Sequence, residues 1–159
     1  MDYKMIENAI IDHTSQSFGS TITIETLQQI FDVCRSWEER YRQLILLAKN
    51  LPEMPGALKN DSIALFSCEN RVWLGCEKQE DDRLHFYGDS DGRIVRGFLT
   101  IFLTAAEGKK AIDLVEQDPL VLFDKLRLRA RLSTSRASVL SALARRIQTI
   151  AVQANKETP

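Results

Sequence analysis

Residues 66–76 read Phe-Ser-Cys-Glu-Asn-Arg-Val-Trp-Leu-Gly-Cys and hold two of the chain's three cysteines, Cys68 and Cys76; the third is Cys34. These thiols could form a disulfide, bind a metal, act as a nucleophile or simply pack. A disulfide needs Cα atoms within about 7 Å. The eight residues from Cys68 to Cys76 would span roughly 26 Å as extended chain, so on a strand the two do not pair. The other metal-ligating residues are His13 and His85, and the set has neither the C-x₂₋₄-C nor the H-x₃₋₅-H spacing of a zinc site. Cysteine–histidine catalysis would have to draw on the same two histidines. His13 lies in a polar N-terminal stretch, and His85 alternates within an expected strand as an ordinary exposed or half-buried side chain. Cys68 sits where a loop enters a strand, which can leave a thiol accessible. Nearby cations would favour its thiolate and Glu69 opposes it, while Arg71 differs from it in strand parity. From these residues alone a reactive Cys68 and a packed Cys68 both stay open, and Cys34 and Cys76 read as small hydrophobes.

The elements that would position this stretch follow from periodicity and caps. Residues 1–20 are polar and weakly periodic and are expected to form a loosely held arm. Thr23 is a candidate N-cap for a helix to about Cys34, with Leu27, Ile30 and Phe31 on one face. Ser36-Trp-Glu-Glu39 fits a capping box, opening a helix to about Lys49 with Trp37, Tyr41, Leu44, Ile45 and Ala48 as its apolar stripe. The two prolines of Leu51–Pro55 end it. The period then changes. Arg71–Lys78 and Arg83–Tyr87 read as antiparallel strands joined by the acidic turn Gln79–Asp82, with Ile63–Phe66 as a short third strand. On this alternation Val72 and Leu74 share one face and Trp73 takes the other. Gly88–Gly92 reads as a turn cluster. Ile94–Ala106 reads as a buried helix stopped by Gly108. Lys109–Glu116 and a segment opened by Asp118-Pro119 read as short helices. Ser133 or Thr134 caps a final helix striped by Val139, Leu140, Leu143, Ile147 and Ile150, with a tail frayed from about residue 153. Helices, a small antiparallel sheet of about three strands, then helices again predict an α+β domain with helices on one face of the sheet, a single domain over 1–159.

Composition narrows the function. The 159 residues carry a formal charge of −1, which argues against nonspecific nucleic-acid binding as the main task. The longest apolar run, Gly97–Ala106, is far below the roughly 20 residues of a membrane span. The N-terminus carries acids and no signal-peptide pattern. Three cysteines suit a reduced, cytoplasmic protein without structural disulfides.

At Cys-Glu-Asn-Arg-Val-Trp-Leu-Gly (68–75) the chain resembles the SufE-like sulfur acceptor proteins, in particular their CsdE branch. The likeness also runs through residues 18–31, 36–55, Gly88–Gly97 and Leu132–Leu140 (LSTSRASVL), nearly the whole chain. The resemblance implies a SufE/IscU-like fold and a role in sulfur relay. A cysteine desulfurase that uses pyridoxal phosphate would present a persulfide, and Cys68 would attack its terminal sulfur and become a persulfide itself. The sulfur would pass to an iron–sulfur scaffold or a tRNA-modifying protein. The chain would need no cofactor of its own, and would be a monomer when alone. Thiol exchange of this kind needs an accessible thiolate without a resolving cysteine nearby. Phe66, Trp73 and the adjacent helix would shelter Cys68 between partners. By the same resemblance Glu69, Asn70, Arg71, Asp89, Ser90, Asp91, Asp124 and Arg136 are candidate partner-binding residues, with Arg93 beside them. Their plainer readings are turn chemistry for 89–91 and, for Arg136, a helix-start pair with an acid. Three departures stand out: Ser67 replaces a usual Gly, Cys76 stands where the family is expected to have another residue, and Thr134 replaces a usual Pro. The alternatives to a relay are a non-covalent activator of the desulfurase and a thiol redox protein, the latter disfavoured by the absence of C-x-x-C.

Overall fold

In a computed structural model the described residues are 22–65 and 70–157. The expected N-terminal arm and the residues Phe66, Ser67, Cys68 and Glu69 lie outside them. Two helices come first, α1 (Ile24–Asp32) and α2 (Trp37–Ala48). Both start where local chemistry says they should. Thr23 Oγ1 accepts the Thr26 N–H at 3.1 Å, and Ser36 Oγ accepts the Glu39 N–H at 3.1 Å. The reciprocal half of the box is displaced by one residue: the Glu39 carboxylate accepts from Arg35, not from the cap itself. Helix α1 stops short of Cys34, which is buried and donates its S–H to the Ile30 carbonyl.

After a 3₁₀ turn at Gly56–Leu58 come β1 (Ala64–Leu65), β2 (Val72–Lys78) and β3 (Leu84–Ser90), an antiparallel sheet in the order β1-β2-β3. Four helices complete the chain: α3 (Arg93–Ala106), α4 (Ala111–Val115), α5 (Leu120–Lys125) and α6 (Thr134–Glu157). The sheet is covered differently on its two faces. Val72, Leu74, Leu84 and Phe86 join the main core, into which α3 delivers Phe98, Leu99, Ile101 and Phe102. Helix α3 is apolar almost all round because α2, α6 and β3 surround it. On the opposite face Trp73 and Tyr87 pack with Met54 and Leu58 from the segment after α2. The alternation of Val72, Trp73 and Leu74 is therefore as expected, and the α+β architecture with three antiparallel strands is the one observed. Among the described residues no helix is long and apolar enough to cross a membrane.

Two expectations are corrected. Gly88, Asp89 and Ser90 do not belong to a turn; they complete β3 and are buried, leaving only Asp91 and Gly92 to turn the chain into α3. Strand propensity disfavours this trio, but tertiary fit overrides it. A Cβ on Gly88 would lie 2.8 Å from the Trp73 carbonyl oxygen, and Asp89 is fully partnered, as described below. The tail does not fray at residue 153 either: α6 continues to Glu157, with Ala154 buried.

Helices α2 and α3 cross closely at Gly97, where a Cβ would stand 2.6 Å from the Leu44 carbonyl oxygen. That neighbour is backbone of a capped helix and cannot swing aside. Gly97→Ala should therefore destabilise the fold by about 1–3 kcal/mol through overpacking, seen as a lower urea midpoint at unchanged m-value. Gly56→Ala, with nothing within 4 Å of the new atom, should move the midpoint little. Equal effects from the two would refute the packing argument.

Candidate functional site

Leu65 and Val72 are direct cross-strand partners, so the connection that carries Cys68 leaves and re-enters the sheet at one place. Its return end is fastened by the residues after β3. The Arg71 N–H and Nε donate to Asp91 Oδ1 and Oδ2, each at 2.9 Å. The Arg71 carbonyl accepts from Ser90 Oγ at 2.7 Å and from the Asp91 N–H at 3.3 Å. Ser90 Oγ in turn accepts the Gly92 N–H at 3.1 Å. The Arg71 side chain lies over the Trp73 ring, 5.5 Å from its centroid. Hydrogen bonding from Arg71 is the main reason the Asp91 carboxyl is held below the ordinary aspartate range.

Beside this anchor opens a cleft of about 350 Å³ lined by Tyr41, Ile45, Asn70, Gly92, Arg93 and Arg136, with Ile94 at its floor. Asn70 fills the space a side chain at Gly92 would need: a Cβ there would fall 2.4 Å from Asn70 Oδ1. Arg136 enters from the first turn of α6, whose start is capped by Ser133 Oγ accepting the Arg136 N–H at 3.3 Å. Its Nη1 donates to Tyr41 Oη at 2.7 Å and its guanidinium stands 5.3 Å from the Tyr41 ring centroid. Arg136 thus pairs with a phenol and not with an acid, and among the described residues its charge is not neutralised by a carboxylate. Cys68 itself lies outside the described residues.

The structure brings Asn70, Arg93 and Arg136 to one cleft, and Arg71 and Asp91 are the chain neighbours of its lining residues Asn70 and Gly92. It does not bring the other candidates there as surface groups. Asp89 is 1% exposed. Its carboxylate takes the Met54 N–H at 2.8 Å, the Ser90 N–H at 2.7 Å and a close guanidinium bond from Arg96, with Lys59 Nζ 3.7 Å away. Ser90 is also buried. Neither offers a face to a partner, because each spends its polar atoms inside the protein. Asp124 is exposed on α5 and pairs with Arg129 at 3.0 Å; it does not line the cleft. Trp73 is buried on the outer face of the sheet, between Met54 and Tyr87. His85, expected at least half exposed, is 4% exposed and bonded through Nδ1 to Glu107. Glu69 lies outside the described residues.

Of the described thiols, both are free and both are suppressed. Burial pushes the Cys34 thiol up. Cys76 is pushed up to about 12, chiefly by burial, and faces a separate cleft of about 500 Å³ between β2 and α6, with Leu74 and Arg146. The sequence reading missed Tyr41, which it assigned to a core stripe, and Arg96, which it did not single out. Tyr41 meets Arg136 across 95 residues, and no local spacing signals such a contact.

Two outcomes follow. The Arg71–Asp91 anchor is intact above the ordinary aspartate range and is released as pH falls through the depressed value of the folded protein. The Arg71 amide resonance should therefore titrate with a midpoint below that of an unperturbed aspartate. Asp91→Ala should abolish that titration; persistence of the same curve would show that another group causes it. For Cys76, a value of about 12 leaves about one part in ten thousand as thiolate at pH 8. Iodoacetamide should label it at least a hundredfold more slowly in the folded protein than in denaturant. Comparable rates would mean that the thiol is not held as described.

Comparison with known proteins gives a consistent result. The model of the family described as "SufE: Fe-S metabolism associated domain" matches residues 25–151. The "Sulfur acceptor protein CsdE" of Escherichia coli (strain K12) is 53% identical over 130 residues, covering 82% of this chain and 88% of that protein. Uncharacterized SufE-like proteins of Rhizobium meliloti (strain 1021) and Rhizobium etli are 40% and 33% identical, over 77% and 82% of this chain and 92% of each relative. With a family match over most of its length and relatives matched nearly end to end, the chain belongs to the SufE family.

Proposed function

We propose that this protein is a sulfur acceptor, and that Cys68 is the residue that takes the sulfur. The role is supported by the similarity to a protein named a sulfur acceptor. The choice of residue is supported by one observation above the rest: Arg71, three residues on from Cys68, is fastened by Ser90 and Asp91, and Asn70, two residues on, lines a cleft that holds two arginines. The other two thiols are suppressed by burial. The donor is a cysteine desulfurase, which carries the pyridoxal phosphate; the acceptor uses no cofactor of its own and acts as an accessory protein, monomeric when alone, in the reducing cytoplasm.

The step is an exchange at sulfur. The Cys68 thiolate attacks the outer sulfur of the donor's cysteine persulfide. A bond forms between Cys68 Sγ and that sulfur as the donor's S–S bond breaks, and the donor cysteine leaves as a thiolate. Nothing is oxidised or reduced overall, and the proton lost from Cys68 goes to solvent or to a base on the donor. Arg136, uncompensated by any described carboxylate, favours the anionic sulfur on either side of the step. The sulfur then passes to an iron–sulfur scaffold or a tRNA-modifying protein.

The test is a mass spectrum of the reduced protein after incubation with a cysteine desulfurase, pyridoxal phosphate and cysteine, trapped by alkylation. One added sulfur should map to the peptide of Cys68 and be absent from Cys34 and Cys76. Cys68→Ser should abolish both the added sulfur and any stimulation of the desulfurase. Stimulation that survives in Cys68→Ser would replace the relay with a non-covalent activator.

A further inference from the structure

The charges of this near-neutral chain are segregated. Residues 1–118 carry 13 Lys and Arg against 20 Asp and Glu, a net −7, whereas residues 119–159 carry 8 against 2, a net +6. The excess is concentrated where α5 gives way to α6, in Lys125-Leu-Arg-Leu-Arg-Ala-Arg131. The backbone there presents the charges as a ridge. Leu126 and Leu128 are buried, fixed by N–H bonds to the carbonyls of Leu122 and Phe123 at 2.9 Å, while Lys125, Arg127, Arg129 and Arg131 between and beyond them are exposed. Arg129 is answered by Asp124. Lys125, Arg127 and Arg131 have no carboxylate partner among the described residues. The ridge leads within five residues to Arg136, in the cleft beside Asn70.

From this arrangement we infer that the 125–131 ridge is a docking surface for a carboxylate-rich patch on a folded protein partner, and that this partner is the sulfur donor. The inference rests on the sulfur-acceptor reading for the donor's identity. Two features favour an acidic protein over a nucleic acid, and a third suits carboxylates as it suits phosphates. The only aromatic side chain in residues 119–159, Phe123, is fully buried, so no aromatic ring on this surface can stack on bases. A polyanion longer than the ridge would meet the rest of the molecule, whose net charge is −5, whereas a folded partner need present acid only opposite the ridge. Three of the four ridge cations are arginines, whose planar fork pairs bidentately with carboxylates. The arrangement gives the molecule a directed charge asymmetry that turns the ridge, and the cleft next to it, toward an acidic partner during approach.

The test separates docking from sulfur transfer. Association of the Cys68→Ser protein with the cysteine desulfurase of its source organism is followed by stopped flow at 50–500 mM NaCl, with Lys125→Glu/Arg127→Glu/Arg131→Glu and a control reversal at Lys49 and Lys110. The association rate should fall steeply with salt. The triple reversal should lower it at least about tenfold at low salt and flatten the salt dependence, while the control keeps both. An unchanged rate and salt slope in a triple variant whose circular dichroism and thermal midpoint match the parent would overturn the inference, as would no association at any salt. Tight binding of bulk tRNA at 150 mM NaCl that the triple reversal removes would overturn it in favour of a nucleic acid. The sulfur-acceptor reading fails separately, if no persulfide forms on Cys68 of the unaltered protein at saturating donor even though the two associate.

Discussion

One buried carboxylate organises much of this fold. Asp89 sits near the C-terminal end of β3 with almost no contact with water, a position that would cost several kcal/mol if its charge were unanswered. It is answered from three directions. Arg96 on α3 bonds to it and also donates to the carbonyls of Ala48 and Leu51 at the end of α2. The Met54 N–H ties in the segment that covers the outer face of the sheet, and Lys59 approaches from the same segment while its Nζ lies 4.9 Å from the Trp73 ring centroid. Sheet, two helices and the outer cover are thus referred to one anionic centre. Leaving any of these donors without the carboxylate would strand buried polar groups in several elements at once.

The sequence positions next to Asp89 convert that rigidity into control of the cysteine-bearing connection. Ser90 and Asp91 bind the backbone of Arg71 on both its donor and its acceptor side, and Gly92 leaves room for Asn70. A five-residue run therefore faces both ways. Its first half is locked into the interior by Asp89 and its second half holds the approach to Cys68. The proposed chemistry needs one accessible thiolate and a positive surrounding, not a fixed triad, and this arrangement supplies an anchored base for the connection with Arg136 at hand.

Local signals were read well from the sequence because their causes are local. Thr23, Ser36 and Ser133 cap helices through bonds to residues three positions away. The alternation Val72-Trp73-Leu74 reports two different coverings of one strand. The same reasoning failed at Gly88-Asp-Ser, which has the composition of a turn and the structure of a buried strand end. What decides that segment is the pairing of Asp89 with Arg96 and Met54, and nothing within the five letters announces it. His85 was misjudged for a similar reason, since its partner Glu107 lies 22 residues on. At the site, Arg136 was found by resemblance, but its partner was expected to be an acid and is Tyr41. The alternation of charge and leucine in 125–131 stood in plain view; its meaning depends on Leu126 and Leu128 being anchored, which only the fold reveals.

The pairing of Leu65 with Val72 has a consequence for how such a protein can change over time. The register of the sheet and the clamp on Arg71 fix where the chain departs and returns, so Leu65, Val72, Ser90 and Asp91 hold the two ends of the connection. Natural variation that spares those four residues and Arg71 keeps the ends of the connection where they are, as a handle stays the same under an exchanged tool head.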